Sequence, residues 1–370
     1  MNILIAADLV TFSGVGNYIK GLATKLVDLG HKVVVFSPIN DIGLGLNDGV
    51  IYIKSYKVNK NPIGWVRNVH LLAKVVKEHG IEVIHTNHRM TAFIVSLYNK
   101  FHKHVPMVWT CHTVPYPNNL AKRIFGSYGD RSMAISSEAK AFMLDELKID
   151  HDRIDVVLNG VDESALNIPD DIEVCELKRQ FDIDESKIVV CMHGRLDRVK
   201  GVDLTVKAVA ELEERYKNKL VVVLSGKTDG NTYYDGLINE IDALGIKDNF
   251  RFVGWVTPRT ILGVSDLMIA PSRREGFPLS AIEAFFMRVP VIRTKVGGYL
   301  DMADVCDGIE SENSHVIAQK LREFIDNPGK YNDMTDRAET FAKNNCTIER
   351  QALATVKTYA AAISQRKSKQ

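Results

Sequence analysis

The chain has 370 residues, 45% of them hydrophobic, and its 47 Lys and Arg balance 46 Asp and Glu to a net charge of +1. That length predicts two domains rather than one core, and nothing in the charge balance calls for a nucleic-acid partner. The five cysteines, Cys111, Cys175, Cys191, Cys306 and Cys346, are odd in number, scattered and never spaced Cys-x-x-Cys, which argues against a disulfide scaffold or zinc ribbon and for a reducing compartment.

The opening run MNILIAADL reads as a buried first strand, not a signal peptide. No apolar run approaches the roughly 20 residues of a membrane span. The expectation is a cytoplasmic chain, at most peripheral at the cytoplasmic face of the membrane. Residues 1–160 carry 18 Lys and Arg against 13 Asp and Glu, the remainder 29 against 33, and nine of the 11 histidines lie in the first half. This bias points an anionic partner, such as a lipid headgroup, toward that half; ordinary solvated charge accounts for it equally well.

Short β-branched runs then alternate with segments of helical period. Strands are predicted at Ile3–Ala7, Val33–Phe36, Val50–Ile53, Val83–Thr86, Met107–His112, Met133–Ser136 and Asp155–Leu158. The pattern restarts at Ile188–His193, Leu220–Ser225, Phe250–Val253, Leu267–Ala270 and Pro290–Thr294, with helices such as Leu204–Tyr216 and Tyr233–Leu244 between. Two doubly wound α/β domains follow, 1–162 and 163–347. The acidic stretch Glu163–Glu176, with Pro169, reads as a surface connection. A last helix, 348–370, with an apolar face of Ile348, Leu353, Val356, Tyr359 and Ile363 and a basic tail, is expected to return to the first domain.

Ligands of open parallel sheets bind beyond the carboxyl ends of the strands, and three strand-end motifs stand there. Ser13-Gly14-Val15-Gly16 precedes the predicted helix Asn17–Leu29, so Gly14 and Gly16 let backbone approach a phosphate at a helix N-terminus. The dinucleotide fingerprint is incomplete, since Ile19 occupies its third glycine position. In His193-Gly194-Arg195-Leu196-Asp197-Arg198-Val199-Lys200-Gly201, the cations Arg195 and Lys200 stand where a diphosphate could sit between them. In Glu275-Gly276-Phe277-Pro278-Leu279-Ser280-Ala281-Ile282-Glu283, two carboxylates lie about two helical turns apart, one suited to sugar hydroxyls and the other to a ribose diol. The N–H groups of Gly276, Phe277 and Leu279 could meet sugar and phosphate directly, while Pro278 has none.

Together with Leu29-Gly30-His31-Lys32-Val33, Asn159-Gly160-Val161-Asp162 and Gly254-Trp255-Val256, these motifs resemble the retaining GT-B glycosyltransferases of family 4 along nearly the whole chain. The resemblance implies two Rossmann-like domains facing across a cleft, with Arg195 and Lys200 on the donor diphosphate, Glu275 on the donor sugar and Glu283 on the ribose. Val256 would meet the base through its backbone, Gly226 joins the donor-binding set, and His112 matches the histidine that faces the donor sugar. The chain departs from the family at Ser13, where many members have glycine, and at the wide Trp255.

The implied activity is retaining hexosyl transfer from a nucleotide sugar, expected to be UDP-linked with GDP-mannose behind it, to a glycan or lipid-linked acceptor of cell-surface polysaccharide or lipopolysaccharide. No cofactor and no metal are expected: Asp182-Ile183-Asp184 has a metal-binding spacing but precedes its strand, at the wrong end of the sheet. An epimerase of the same fold and a catalytically silent nucleotide-binding subunit are the rival readings. For the acceptor, Asn87 and His88 in His85-Thr86-Asn87-His88 stand at a strand's carboxyl end. Tyr116–Arg131, mixing Leu120, Ile124 and Phe125 with Lys122 and Arg123, reads as either a membrane-surface patch or an internally packed helix.

Overall fold

The structure is a computed structural model that describes residues 1–8, 10, 13–38, 46–57, 62–112, 126–228 and 232–367. Leu120, Lys122, Arg123, Ile124 and Phe125 of the proposed amphipathic patch lie outside the described residues. The chain forms two compact units, one of Met1–Val161 with Thr347–Gln370 and the other of Asp162–Cys346.

The first unit is a seven-stranded sheet of β1 (Asn2–Ala6), β2 (Lys32–Ser37), β3 (Val50–Lys54), β4 (Val83–Thr86), β5 (Met107–Cys111), β6 (Arg131–Ala134) and β7 (Ile154–Val156). Its order is β3-β2-β1-β4-β5-β6-β7. Every pairing is parallel, with Leu4 opposite both Val34 and Ile84. Strands buried on both faces explain the unbroken apolar runs. Helices α1 (Gly14–Asp28), α2 (Pro62–His79), α3 (Arg89–Phe101) and α4 (Ser137–Asp145) make the crossovers.

The second unit has six parallel strands, β8 (Ile188–His193), β9 (Leu220–Ser225), β10 (Phe250–Gly254), β11 (Leu267–Ala270), β12 (Val291–Thr294) and β13 (Asp307–Ile309), in the order β10-β9-β8-β11-β12-β13. The three-residue β13 is too short to carry a periodic signal. Its helices are α5 (Asp171–Gln180), α6 (Val202–Ala210), α7 (Glu214–Lys217), α8 (Thr232–Ala243), α9 (Pro258–Gly263), α10 (Leu279–Phe286), α11 (Ser314–Asp326) and α12 (Asn332–Asn345). Both units are thus Rossmann-like.

Three expectations are corrected. The acidic stretch after residue 163 is not all connection: Asp170 caps α5 by accepting the Glu173 N–H, and Asp171 and Glu173 suit a helix N-terminus, so the acidity is a helix start. Leu204–Tyr216 is two helices, broken after Ala210. The final helix, α13 (Ile348–Lys367), packs on α1 and the sheet of the first unit through Ala352, Tyr359 and Ala362; of the expected face Ile348 and Tyr359 are buried and Val356 and Ile363 partly buried, and the correction is Leu353 alone, 44% exposed. The chain re-enters this unit beside its exit: Ile348 N–H donates to the Val161 carbonyl at 2.8 Å.

In each sheet the strand order reverses once, between β1 and β4 and between β8 and β11. Those two points, at the carboxyl ends of the strands, are where a doubly wound sheet leaves a crevice for ligand.

Candidate active site

The crevice of the second unit is lined by Gly194, Arg195 and Lys200 beyond β8 and by Ser272, Glu275 and Ser280 beyond β11. Its centre is an ion pair: Lys200 Nζ donates to Glu275 Oε1 at 2.6 Å, and the Ser272 hydroxyl donates to the same oxygen at 2.8 Å. Burial alone would push the Glu275 carboxyl up, but the Lys200 charge and hydrogen bond, with Ser272 and the charge of Arg293, outweigh it and hold the carboxyl below its ordinary value. Arg195 lines the same crevice, half exposed, with its guanidinium 2.9 Å from the Asp197 carboxylate.

The loop that carries these cations is built tightly. Asp197 accepts the Lys200 N–H at 3.0 Å and so starts a single turn, which Gly201 ends with φ of +72°. A Cβ on Gly201 would lie 2.2 Å from the Pro271 carbonyl, so only glycine lets the two strand-end loops touch. Arg273 then clamps them: it donates to the Arg198 carbonyl at 2.6 Å and makes a two-pronged pair with Asp203, both prongs at 2.8 Å.

The second carboxylate stands on α10, whose N-cap is Pro278. Burial pushes the Glu283 carboxyl up to about 7, against the pull of Lys200. Phe277 is buried, and Gly276 and Phe277 pack against Gly297 and Gly298. That glycine turn is held by Arg293, which reaches from inside β12 to donate to the Val296 and Gly297 carbonyls at 2.8 Å each.

Two residues of the expected donor set also have structural partners. Gly226 gives its N–H to the Gly254 carbonyl at 2.9 Å, and a Cβ there would lie 1.6 Å from the Gly194 carbonyl, so only glycine lets the β8 loop pass. The Val256 N–H meets the Ser225 hydroxyl at 3.3 Å, beside the His193 ring.

The crevice of the first unit is a cavity of about 270 Å³ lined by Asp8, Asn87, His88, Arg89 and His112 among others. His112 Nε2 donates to Asn87 Oδ1 at 2.9 Å, and the Tyr18 ring stands edge-on to the imidazole at 4.6 Å. Burial, then the neighbouring His88 and His85, holds His112 well below its ordinary pKa. Burial likewise lowers His88 to about 4 and His85 to about 3, so this cluster is neutral near pH 7. Gly14 and Gly16 are not in a loop as expected but in the first turn of α1, because Ser13 caps the helix and its hydroxyl accepts the Gly16 N–H at 3.1 Å. Gly14 faces open space.

The sequence thus brings Lys200 to Glu275, and Asn87 and His88 to His112. It leaves Ser272, Arg293, Arg273 and Asp8 unremarked. An arginine inside the apolar strand Val291–Thr294 is the signal that could have found Arg293, since buried charge is retained only with partners. Asp182 and Asp184 are turn residues: Asp184 accepts the Ser186 N–H and hydroxyl, and Asp182 pairs with Arg251. Among the described residues no cluster of metal-ligating side chains occurs, and no helix is long and apolar enough to cross a membrane.

Two family models match the chain, Glycosyltransferase Family 4 over residues 12–165 and Glycosyl transferases group 1 over residues 174–341. An uncharacterised glycosyltransferase of Methanocaldococcus jannaschii is 25% identical over 320 residues, 78% of each chain. A D-inositol 3-phosphate glycosyltransferase of Rhodococcus jostii is 30% identical over 266 residues, 65% of this chain and 58% of that relative, so the match spans less than two thirds of its length. The crystal structure of HepE from Anabaena in complex with UDP shares the fold at a TM-score of 0.84 and 17% identity, covering 98% of this chain and 100% of that one. The same protein has also been solved with UDP-glucose. The chain belongs to the GT-B glycosyltransferases of family 4.

Proposed function

We propose that this glycosyltransferase moves a hexosyl unit from a UDP-sugar, with retention of anomeric configuration and without a metal ion, to a glycan or lipid-linked acceptor of cell-surface polysaccharide, working at the cytoplasmic face of the membrane. The observation that carries the donor half is the Lys200–Glu275 pair at 2.6 Å at the strand reversal of the second unit, with Arg195 on the same crevice. UDP and UDP-glucose bound to HepE support the uridine donor, and the inositol phosphate relative supports a hydroxyl-rich acceptor.

In the reaction the bond from the anomeric carbon to the β-phosphate oxygen breaks as a bond to the acceptor oxygen forms on the same face, and the acceptor's proton passes to the departing phosphate. Negative charge grows on that phosphate, so Lys200 and Arg195 lower the barrier by meeting charge that is largest in the transition state. Glu275 holds Lys200 in place and accepts hydrogen bonds from sugar hydroxyls, and Glu283 accepts from the ribose. Both cations being side chains, no divalent ion is required of the phosphate site. His112, neutral and fixed by Asn87, serves the sugar as a hydrogen-bonding group rather than as a charge.

Calorimetric titration with UDP, GDP, ADP and NAD in EDTA tests the donor. UDP binds selectively and weakens about tenfold or more in Glu283→Ala; binding of NAD alone overturns the reading. Turnover is unchanged in EDTA, and a loss restored by manganese defeats metal independence. An inverted linkage in the product defeats retention.

A further inference from the structure

The first unit's cavity holds a carboxylate to which no role has yet been given, Asp8, and an amide, Asn87, of which only the oxygen has been used. Asp8 stands two residues beyond β1, and its Oδ1 accepts the Thr91 N–H at 3.1 Å in the first turn of α3. It caps that helix in place of His88, the N-cap residue, whose side chain makes no capping bond. Among the described residues the side-chain hydrogen bonds of Asp8 come from Thr91 alone, which leaves acceptor capacity at the cavity that Asp8 lines. Asn87, only 4% exposed, spends Oδ1 on His112, and its Nδ2 is buried with no partner among the described residues. A buried amide N–H without an acceptor costs on the order of 1–3 kcal/mol, a cost that a ligand oxygen removes.

We propose that Asp8 and Asn87 together bind a hydroxyl of a neutral sugar or polyol acceptor, its O–H donating to the Asp8 carboxylate and its oxygen accepting from Asn87 Nδ2. The inference rests on the transferase reading above and adds to it a specificity-determining residue, Asp8, and a chemical class. A carboxylate only accepts and an amide NH2 only donates, so the group that satisfies both at once is one that does each, and a hydroxyl does. A phosphate oxygen offers Asp8 no proton and meets its charge.

Among the described residues the charged and titratable groups around Asp8 are Arg89 on α3, the His88 ring, whose Nδ1 accepts the Asp8 N–H at 3.2 Å, and His112 beyond β5. The imidazoles are neutral throughout the working range. Burial pushes the Asp8 carboxyl up to about 6, more than the Thr91 hydrogen bond and the Arg89 charge pull it down. Within this cavity Asp8 is therefore the group that gains a proton as pH falls through about 6, and the hydroxyl then loses its acceptor.

The test measures UDP release from saturating UDP-glucose by the full chain, with myo-inositol and methyl α-D-mannopyranoside as acceptor probes and calorimetry with UDP alongside. Both polyols accelerate release by the wild type, and their kcat/KM falls below about pH 6. Asp8→Asn, which keeps the helix cap, raises the polyol KM at least tenfold and abolishes the acid limb, while its UDP affinity stays within twofold. Asn87→Ala, a second variant should the first fold poorly, raises the polyol KM likewise. An unchanged KM in both variants, an acid limb that persists in Asp8→Asn, or no acceleration by either polyol in a wild type that binds UDP overturns the inference alone. A wild type that binds no UDP takes down the transferase reading and this inference with it.

Discussion

The two units share one topology and differ in what they place at its reversal point. Beyond β8 and β11 the second unit sets Arg195 and Lys200, each matched to a carboxylate; the first unit sets Asp8 beyond β1, Asn87, His88 and Arg89 beyond β4 and His112 beyond β5, with both imidazoles kept neutral by burial and the Asn87 Nδ2 without a partner among the described residues. Paired cations that can exchange a carboxylate for phosphate suit a ligand whose charge grows during reaction. Neutral imidazoles and an amide, beside one carboxylate whose charge faces that of Arg89, suit one whose hydroxyls must be oriented. The same crevice is specialised by side chains alone, and the largest test of that division is Lys200→Ala. Turnover falls about 100-fold or more, because removing one donor at developing charge costs roughly 3 kcal/mol. An unchanged single-turnover rate removes Lys200 from the chemistry.

The first unit is sharpened through its buried network. Tyr359 of α13 lies 2.7 Å from His85 Nδ1, and His85 Nε2 lies 2.6 Å from the Thr110 hydroxyl. Burial holds the phenol well above and the imidazole well below their ordinary values, so both are neutral partners. Tyr359→Phe strands His85 Nδ1 in the core and costs about 1–3 kcal/mol, read as a lower denaturation midpoint with an unchanged UDP affinity. A loss of UDP binding in that variant erases the division between the units.

Glu283 gives a pH signature that belongs to the second unit. Its folded pKa of about 7 lies above the ordinary 4.5, so between those values the native state holds a proton that the unfolded chain has lost, and stability falls as pH rises through that window. Above pH 7 the full penalty is present; below 4.5 it is absent. Glu283→Gln therefore raises the melting temperature at pH 8, by on the order of 1–3 kcal/mol of stability since the side chain keeps some exposure, and leaves it unchanged at pH 4.5. An equal rise at both values shows that charge is not the cause.

Both sheets and the Lys200 and Glu275 motifs were legible in the sequence because each depends on local signals: β-branched runs, strand-end glycines, charges at fixed spacing. What was not legible is tertiary. Ser272 and Lys200 donate to the same Glu275 oxygen, and the fold brings Lys200 there from 75 residues away. At Gly226 the close pass of the Gly194 carbonyl, which demands a glycine there, is invisible without the fold. Asp8 has no motif around it; its partner Thr91 lies 83 residues on.

The smallest predicted effect follows from the same limit, on α13. Counting large apolar residues placed Leu353 on the face with Ile348, Val356, Tyr359 and Ile363, which do pack, but beside Tyr359 the helix buries Ala352, Thr355 and Ala362, small residues that let two helices approach closely. Gly21 of α1 belongs to that approach, since a Cβ on it would lie 3.0 Å from the Ile348 side chain. Leu353 is displaced about 100° from Ala352 around the helix and stays 44% exposed. Leu353→Ser therefore changes stability by no more than about 0.5 kcal/mol, whereas Ala352→Leu overpacks the contact and costs about 1–3 kcal/mol. Denaturant midpoints of the pair decide which face of the helix completes the first unit, and the reverse ranking restores the face that large apolar residues alone would choose.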